Sequence, residues 1–515
     1  MTTLAPAPPK VTPPAADAPP PRRAERPRWT AWFALLPMLV IAAVGLNGAG
    51  QREMWEDEYA TYHAITISWS ALGRLFTHLD IVHALYYVLM RGWLAIAGDS
   101  LLALRIPSIA VLALTGAVVV LIGRRLVSTP VGVVAGLLLA IIPAISRYAH
   151  EVRSYALVTL LATLSVYLFL RALDKPVGRR WFGYVAVTSL TGLIHFMGIT
   201  VVGPQLLYLL LTTARTDEVR RWRFAGALGA VILVVIPLPA MAQHQSSQVS
   251  WIKSDLDTAR VFLGRVFLSD DLAWAIVPLA LVGVAVLWRR NRAAAVMLLT
   301  WSAGPIVFGY LTVSVLHLFV GRYMLFTLPA WALLASATIC YLLRPFGRRA
   351  HGAWWVLGAV LALPGLAYLG YPDQKNVRVN PVEGQPDYRA ALYFVRDNAQ
   401  PKDGIVYNDK LGGRSDLARA AAEYELRDGG PRDVLLYRPA SETGYFGAAE
   451  CPDPAPCLAG NDRLWLVSTT TAVNPWDGMK PAAADILRKD FEIRNDARFP
   501  KVRVVLLVRA GTAAK

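Results

Sequence analysis

Eleven apolar stretches constrain the fold of this 515-residue chain more than any other feature. A helix needs about 20 apolar residues to cross a bilayer, and it satisfies its own backbone hydrogen bonds in lipid. Only 17% of the residues are charged, against about a quarter in a soluble domain. The sequence therefore predicts an α-helical polytopic membrane protein with about 11 transmembrane helices. The predicted spans lie near residues 30–49, 101–123, 131–146, 155–172, 181–197, 198–214, 224–242, 272–288, 293–314, 322–343 and 353–371.

Arginine clusters between the apolar stretches predict the orientation of the chain. They lie within residues 124–125, 171–180, 215–223, 289–292 and 344–349. Such clusters favour the cytoplasmic side, and eleven spans with a cytoplasmic N-terminus place all of them there. Residues 83–98 would reverse this pattern if they crossed, so they are predicted to lie along the outer interface. Topology thus accounts for the net charge of +16, and no nucleic-acid partner is predicted.

The two ends of the chain differ from the apolar region. Residues 1–28 are rich in Pro and Ala and predict a disordered cytoplasmic tail. Residues 29–371 form the predicted membrane domain, with a first outer loop at 50–100 that contains interfacial helices. Residues 372–515 alternate helical and strand patterns and predict an extracytoplasmic α/β domain. Its predicted helices lie at 387–398 and 415–426, and its strands at 404–407, 434–437, 464–467 and 502–508.

Two of the three cysteines lie close together in this C-terminal region. Cys451 and Cys457 are separated by five residues, three of which are prolines that favour a turn. No histidine is near enough in sequence to complete a zinc-binding pattern. A disulfide between these cysteines is therefore predicted, because the region is expected to lie in an oxidising compartment.

Three consecutive carboxylates, Glu56, Asp57 and Glu58, follow the first apolar stretch. Trp55 and Tyr59 flank them, and such aromatic side chains favour the membrane–water interface. A solvated cap after a span is the simplest explanation of these acids. Ionisable groups at the edge of a membrane are costly, however, and often mark a functional site. Asp57 and Glu58 are therefore the candidate catalytic residues.

The predicted topology collects further polar side chains on the same outer face. Candidates for binding a phosphate or lipid are Arg105, Arg147, Glu151, Arg153, His317, Arg322 and Tyr323. Candidates for an acceptor-binding or supporting role are Asp80, His83, His150 and His195. Arginines hold phosphates well, and a general base beside such cations suits a group-transfer reaction. A divalent cation is possible, although the sequence identifies fewer oxygen ligands than an octahedral site needs.

Several of these segments resemble the GT-C superfamily of polyprenyl-phosphate-sugar glycosyltransferases, in the branch of protein O-mannosyltransferases and lipid A aminoarabinose transferase. They are Trp55-x-Asp57-Glu58, Asp80-x-x-His83-x-Leu85-Tyr86-Tyr87, Ala103-Leu104-Arg105-Ile106-Pro107-Ser108, Arg147…Glu151-x-Arg153-x-Tyr155 and Gly321-Arg322-Tyr323, within residues 30–345. The resemblance implies that Asp57 is the general base and that Glu58 supports it or helps to bind the acceptor. It also implies that Glu151, Arg153 and Arg322 surround the lipid phosphate. The family's usual His-Pro-Pro is replaced by His83-Ala84-Leu85 in this chain.

The resemblance implies an inverting integral-membrane glycosyltransferase of the cell membrane. Its donor would be a polyprenyl-phosphate sugar, with mannose favoured, and its acceptor an extracytoplasmic protein, lipid or cell-envelope glycan. The alternative is a transporter or lipid flippase, which would place charges or helix breaks within spans at two symmetric positions. This chain places its charges at one face. A structural partner without chemistry is the third possibility, and the intact Asp57–Glu58 pair is against it.

Overall fold

The computed structural model describes residues 32–213, 217–245, 252, 256–341, 354–379, 384–408, 417–469 and 474–511. The predicted tail at 1–28 lies outside these residues. The helices of the apolar region are α1 (Leu35–Leu46), α2 (Glu56–Thr66), α3 (Trp69–His78), α4 (Ala84–Ala97), α5 (Leu101–Leu126), α6 (Thr129–Ile141), α7 (Pro143–Ala149), α8 (Tyr155–Asp174), α9 (Gly178–Ile194), α10 (Val202–Thr212), α11 (Glu218–Val235), α12 (Pro237–Ala242), α13 (Leu256–Phe267), α14 (Asp270–Trp288), α15 (Arg292–Leu311), α16 (Val313–Leu316), α17 (Leu328–Tyr341) and α18 (Trp354–Asn376). Short 3₁₀ helices cover Ile81–His83, Phe196–Val201 and Gly321–Thr327.

Each of the eleven predicted spans coincides with a helix, but fewer are long and apolar enough to cross a membrane alone. Within the described residues seven helical segments meet that test, or eight if the bent pair of α6 and α7 is one span. The helices at 30–49, 181–197 and 198–214 are α1, α9 and α10, with 12, 17 and 11 residues. The helical membrane fold is confirmed, whereas the count of eleven stays a prediction.

Small residues allow the helices of this region to pack closely. A Cβ atom added to Gly123 of α5 would lie 2.4 Å from the Cα atom of Gly132 in α6. Glycines at this crossing therefore let the two backbones touch. Such contacts matter in a bilayer, where lipid tails leave little hydrophobic drive for helices to associate and van der Waals packing takes over.

The C-terminal region contains a five-stranded mixed sheet in the order β2-β1-β5-β7-β6. The strands are β1 (Gly404–Asn408), β2 (Arg432–Asp433), β3 (Leu436–Arg438), β4 (Ala449–Glu450), β5 (Arg463–Ser468), β6 (Phe491–Phe499) and β7 (Val502–Arg509). The helices are α19 (Tyr388–Asn398), α20 (Leu417–Glu425), α21 (Ala440–Thr443), α22 (Pro454–Leu458) and α23 (Pro481–Asp490). Strand β1 pairs in parallel with β2 and β5, whereas β7 pairs antiparallel with β5 and β6. An α/β fold is thus confirmed here, and Cys451 and Cys457 form the predicted disulfide.

The C-terminal region packs directly against α2, the helix that carries the three acids. Three consecutive residues of α20 meet three residues of α2. The Glu425 carboxylate accepts a hydrogen bond of 2.9 Å from the Tyr59 hydroxyl. The rings of Tyr62 and Tyr424 meet edge to face at 4.8 Å, and His63 Nδ1 lies 2.7 Å from the Glu423 carboxylate.

Candidate active site

Asp57 lies in the first turn of α2, where the helix dipole favours a negative charge. Its side chain is 20% exposed, and its carboxylate lies 3.9 Å from Arg322 Nη2 and 4.0 Å from Arg153 Nε. These are ion-pair distances, longer than hydrogen bonds. The two cations therefore fix the carboxylate electrostatically while leaving room for a further hydrogen-bond donor.

A proline bends the chain just before the turn that carries Arg153. Pro143 disfavours helical geometry at the residue before it, and Ile142 is accordingly extended, so α6 and α7 meet at 66°. Helix α7 ends at Ala149, and residues 150–154 return the chain to α8. This turn brings Arg153 beside α2, where its guanidinium donates to the Thr61 hydroxyl at 3.2 Å.

Arg153 also joins the outer-loop residues that the sequence singled out. It lies 3.0 Å from His83 Nε2, which must accept because arginine only donates. Burial and the neighbouring Arg153 hold the pKa of His83 well below its usual range, so the ring is neutral. Arg153 contacts the Tyr87 hydroxyl at 3.4 Å, and that hydroxyl donates to Asp80 at 2.7 Å. The structure therefore brings Asp80 and His83 into the network around Arg153.

Arg322 reaches Asp57 from the opposite end of the apolar region. It follows Gly321, where a Cβ atom would lie 2.9 Å from the carbonyl oxygen of Arg265. Its Nε donates to the Tyr155 hydroxyl at 3.1 Å, and its guanidinium lies 5.5 Å from the ring centre of Tyr323. The guanidinium groups of Arg322 and Arg147 each lie 5.6 Å from the Trp55 ring centre. Such cation–π contacts hold cations in place without neutralising them.

Asp57, Arg153 and Arg322 form what we call the Asp57 centre. Glu151 is a second acid at this centre, and it is buried. Its carboxylate lies 2.5 Å from Arg147 Nη1, yet within the described residues its Oε2 atom has no hydrogen-bond partner. Burial raises the pKa of Glu151 to about 7, and the negative charges of Glu58 and Asp57 add to the effect against the opposing Arg147. Glu151 therefore changes charge near neutral pH.

Glu58 and Arg105 form a fully buried pair, and both are occupied by structural contacts. Two nitrogens of Arg105 lie 3.1–3.2 Å from the Glu58 carboxylate, which also accepts from the Val152 amide at 3.0 Å. The remaining donors of Arg105 reach the carbonyls of Ala49, Arg52 and Glu53 at 2.8, 2.7 and 3.0 Å. The pair thus joins the start of the outer loop, α2 and the 150–154 turn. This geometry favours a scaffold over the roles that the sequence predicts for Glu58 in catalysis and for Arg105 at a phosphate.

The three remaining candidate histidines lie at different distances from the centre. His195 packs against Tyr323, with ring centres 4.6 Å apart. Buried His150 donates from Nε2 to the Gly45 carbonyl at 2.7 Å, and burial lowers its pKa to about 4. His317 donates to the Ile252 carbonyl at 3.1 Å. His195 therefore borders the centre, whereas the contacts of the other two are with backbone outside it.

Thr61 is the site residue that sequence reasoning missed. It lies four residues after Asp57, so helical spacing places it on the same face of α2.

Over the residues that the structure describes, no three His, Cys, Asp or Glu side chains are grouped as a metal site requires. Asp57, Glu58 and Glu151, the acids considered for a divalent cation, each face an arginine instead.

Comparison with known proteins identifies the fold. ArnT from Cupriavidus metallidurans bound to undecaprenyl phosphate aligns with a TM-score of 0.56 at 14% identity, over 95% of this chain and 99% of that one. The chain has the GT-C fold. An oligosaccharyltransferase from Archaeoglobus fulgidus tethered with an acceptor peptide aligns with a TM-score of 0.51 at 12% identity, over 85% of this chain and 69% of that one. The resemblance predicted from the sequence is thereby confirmed.

One family model also matches part of this GT-C chain. The family is described as dolichyl-phosphate-mannose-protein mannosyltransferase, and residues 83–239 match it. That segment contains His83, Arg105 and the whole 147–155 turn, but not Asp57 or Arg322. None of the curated proteins matches the chain in sequence.

Proposed function

We propose that this protein is an integral-membrane glycosyltransferase that moves a sugar from a polyprenyl-phosphate donor to a hydroxyl acceptor on the extracytoplasmic side. The observation that carries the proposal is the position of Asp57 between Arg153 and Arg322, at 4.0 and 3.9 Å. An acid between two arginines at the edge of a membrane domain combines a base with an anion-binding site. The GT-C fold and the partial family match support the same activity.

The reaction is a single displacement. Asp57 accepts the proton of the acceptor hydroxyl while that oxygen attacks the anomeric carbon of the sugar. The bond from the anomeric carbon to the phosphate oxygen breaks, and both of its electrons leave with the polyprenyl phosphate. Arg153 and Arg322, with Arg147 behind them, stabilise the charge that develops on this leaving group. One displacement inverts the anomeric configuration.

The proposed donor comes from the comparisons with known proteins. The solved ArnT structure contains undecaprenyl phosphate, which favours a polyprenyl carrier for this chain. Mannose is the favoured sugar because the partly matching family is described by dolichyl-phosphate mannose. A protein hydroxyl, a lipid and a cell-envelope glycan all present the hydroxyl group that the reaction needs.

The test is sugar transfer by the full chain in proteoliposomes that contain radiolabelled polyprenyl-phosphate mannose and a membrane extract as acceptor. Asp57→Asn keeps the side-chain volume and removes the basicity, so turnover falls by about 10²–10⁴-fold while polyprenyl phosphate still binds. Asp174→Asn, at the far end of α8, is the matched control and keeps normal turnover. An Asp57→Asn protein that folds and transfers sugar at the normal rate would refute the assignment of the base.

A further inference from the structure

A polar cleft lies between the first outer loop and the C-terminal region, separate from the Asp57 centre. Its volume is about 540 Å³. Residues from α2 and α3, including His63 and Arg74, line one wall, and Glu423, Ser441 and Glu442 line the other. Asp57 and Thr66 are nine residues apart on α2, which places them on opposite faces of the helix. Because Thr66 lines the cleft, the cleft opens on the side of α2 away from Asp57.

The loop that forms the far wall is held tightly against α3. Gly444 has a φ of +76°, and a Cβ atom there would lie 2.9 Å from the His78 ring. The Arg74 guanidinium donates to the Ser441 carbonyl at 2.9 Å, and the Tyr445 ring stacks on His78 at 4.9 Å. These contacts give the cleft a defined wall.

His63 is a buried polar residue of the cleft lining. His63 is 2% exposed, and its Nδ1 atom is engaged by Glu423. In the part of the chain that the structure describes, its Nε2 atom has no hydrogen-bond partner. This nitrogen is sealed from solvent, so His63 forms part of the cleft wall and is not one of the groups exposed to a ligand.

The lining selects a chemical class of ligand. Arg74 donates hydrogen bonds, the carboxylates of Glu423 and Glu442 accept them, and the Ser441 hydroxyl can do both. The Thr66 hydroxyl already donates to the Tyr62 carbonyl at 2.9 Å, so it can accept. With two acids against one arginine, the cleft disfavours a phosphate or any other anion. A neutral carbohydrate presents hydroxyls that both donate and accept hydrogen bonds, and it therefore matches this mixed lining.

We propose that this cleft binds a neutral oligosaccharide segment of the acceptor, so that the acceptor is a glycan rather than a protein or a simple lipid. The inference rests on the proposed glycosyl transfer and names its acceptor class. Because the cleft and Asp57 lie on opposite faces of α2, the bound segment is one that does not react. It holds the glycan at the enzyme while another part of the glycan reaches the catalytic centre.

The test measures binding to the full chain in nanodiscs without donor, by saturation-transfer NMR. The probes are mannotriose, maltotriose and cellotriose, with trigalacturonate and a serine-threonine peptide for comparison. At least one neutral trisaccharide should bind, and Ser441→Trp should weaken that binding at least tenfold by filling the cleft. Ser441 contacts Arg74 through its backbone carbonyl, so this substitution keeps the contact. Ala482→Trp, on exposed α23, is the matched control and should bind as the wild type does.

Glu442→Gln is a smaller change that should also weaken binding, with Glu492→Gln on exposed β6 as its control. Binding of undecaprenyl phosphate, measured on the same samples, should be unchanged in all variants. The proposal is overturned if no neutral trisaccharide binds, if trigalacturonate or the peptide binds instead, or if Ser441→Trp and Glu442→Gln both bind normally. Failure of undecaprenyl phosphate to bind the wild type would count against the proposed function and not against the cleft.

Discussion

At the scale of single residues, burial separates two adjacent acids into different tasks. Asp57 is partly exposed and lies at ion-pair distance from two arginines, whereas the Glu58 side chain is fully buried and bonded to Arg105 and the Val152 amide. A base must exchange protons with a substrate, so the first environment suits it. A carboxylate whose oxygens are already occupied suits a scaffold. The sequence Asp-Glu cannot distinguish these tasks, because they are set by contacts with α5 and the 150–154 turn.

The Glu58–Arg105 pair should therefore behave as one unit in stability measurements. Removing one partner leaves the other charge buried, which costs about 3–5 kcal/mol, whereas replacing both with apolar groups costs much less. We expect Glu58→Leu and Arg105→Met each to lower the unfolding temperature in detergent. The double variant Glu58→Leu with Arg105→Met should recover part of that loss. Additive losses in the double variant would contradict the pairing.

Glu151 should make donor binding depend on pH. Its pKa of about 7 means that it is neutral below pH 7 and negative above. As pH rises from 6 to 8, the added charge should weaken binding of polyprenyl phosphate several-fold, or by about 1 kcal/mol. The phosphate of the ligand loses its own second proton near pH 6, and this loss is the same for the wild type and for a variant at position 151. A pH series with wild type and Glu151→Gln therefore isolates the carboxyl group, and identical series would contradict its assignment.

The raised pKa of Glu151 also predicts that the stability of the protein depends on pH. Between pH 4.5 and 7 the unfolded Glu151 has released its proton while the folded protein retains it. The free energy of unfolding should therefore fall as pH rises through this window, and Glu151→Gln should lose that part of the slope. Thermal unfolding over the pH series used for binding provides this second measurement.

At the scale of elements, α2 has two working faces. One presents Asp57 and Thr61 to Arg153, and the other presents Tyr59, Tyr62 and His63 to α20. The C-terminal region therefore holds the helix that carries the proposed base. This contact could not be predicted from the sequence, because α2 and α20 are more than 350 residues apart and neither carries a pairing motif.

Glu425→Ala should loosen this contact. Glu425 is buried and accepts hydrogen bonds from Tyr59 and from Arg389 Nε at 2.9 and 3.3 Å. Its loss leaves both donors unpaired and should cost about 3 kcal/mol. We expect faster limited proteolysis of the C-terminal region and slower sugar transfer, with polyprenyl phosphate affinity unchanged. Glu492→Ala, whose exposed pair with Arg494 contributes about 0–1 kcal/mol, is the control.

How well single elements could be predicted depended on their burial. Strands β1, β5 and β7 are almost wholly buried, and the apolar runs at 404–407, 464–467 and 502–508 predict them within a residue or two. Strand β6 was missed because it is an exposed edge strand of alternating charges, which gives no apolar signal. The predicted strand at 434–437 was only partly right, since Leu436–Arg438 pairs with β4 in a separate two-stranded sheet.

At the scale of the whole molecule, sequence reasoning found the residues of the centre but not their partners. Asp57, Glu151, Arg153 and Arg322 were predicted to converge because topology places them on one face, and the structure brings them together. His150 and His317 share that predicted face, yet they bond to backbone carbonyls elsewhere. A topological argument fixes the end of a span at which a residue lies. It does not fix the direction in which the side chain points, which depends on packing between distant helices.

The proposed chemistry requires Asp57 and the C-terminal sheet to lie on the same aqueous side of the membrane. The predicted orientation places both on the extracytoplasmic side. Asp397 is an exposed residue of α19, and Arg289 follows α14 in an arginine cluster predicted to be cytoplasmic. In intact cells, Asp397→Cys should react with a membrane-impermeant maleimide, and Arg289→Cys should react only after permeabilisation. The native Cys340 is buried and Cys451 is bonded to Cys457, so the background should be low. The reverse labelling pattern would place the sheet in the reducing cytoplasm. That result would remove the reason to expect the Cys451–Cys457 disulfide in the cell, and it would require a cytoplasmic acceptor.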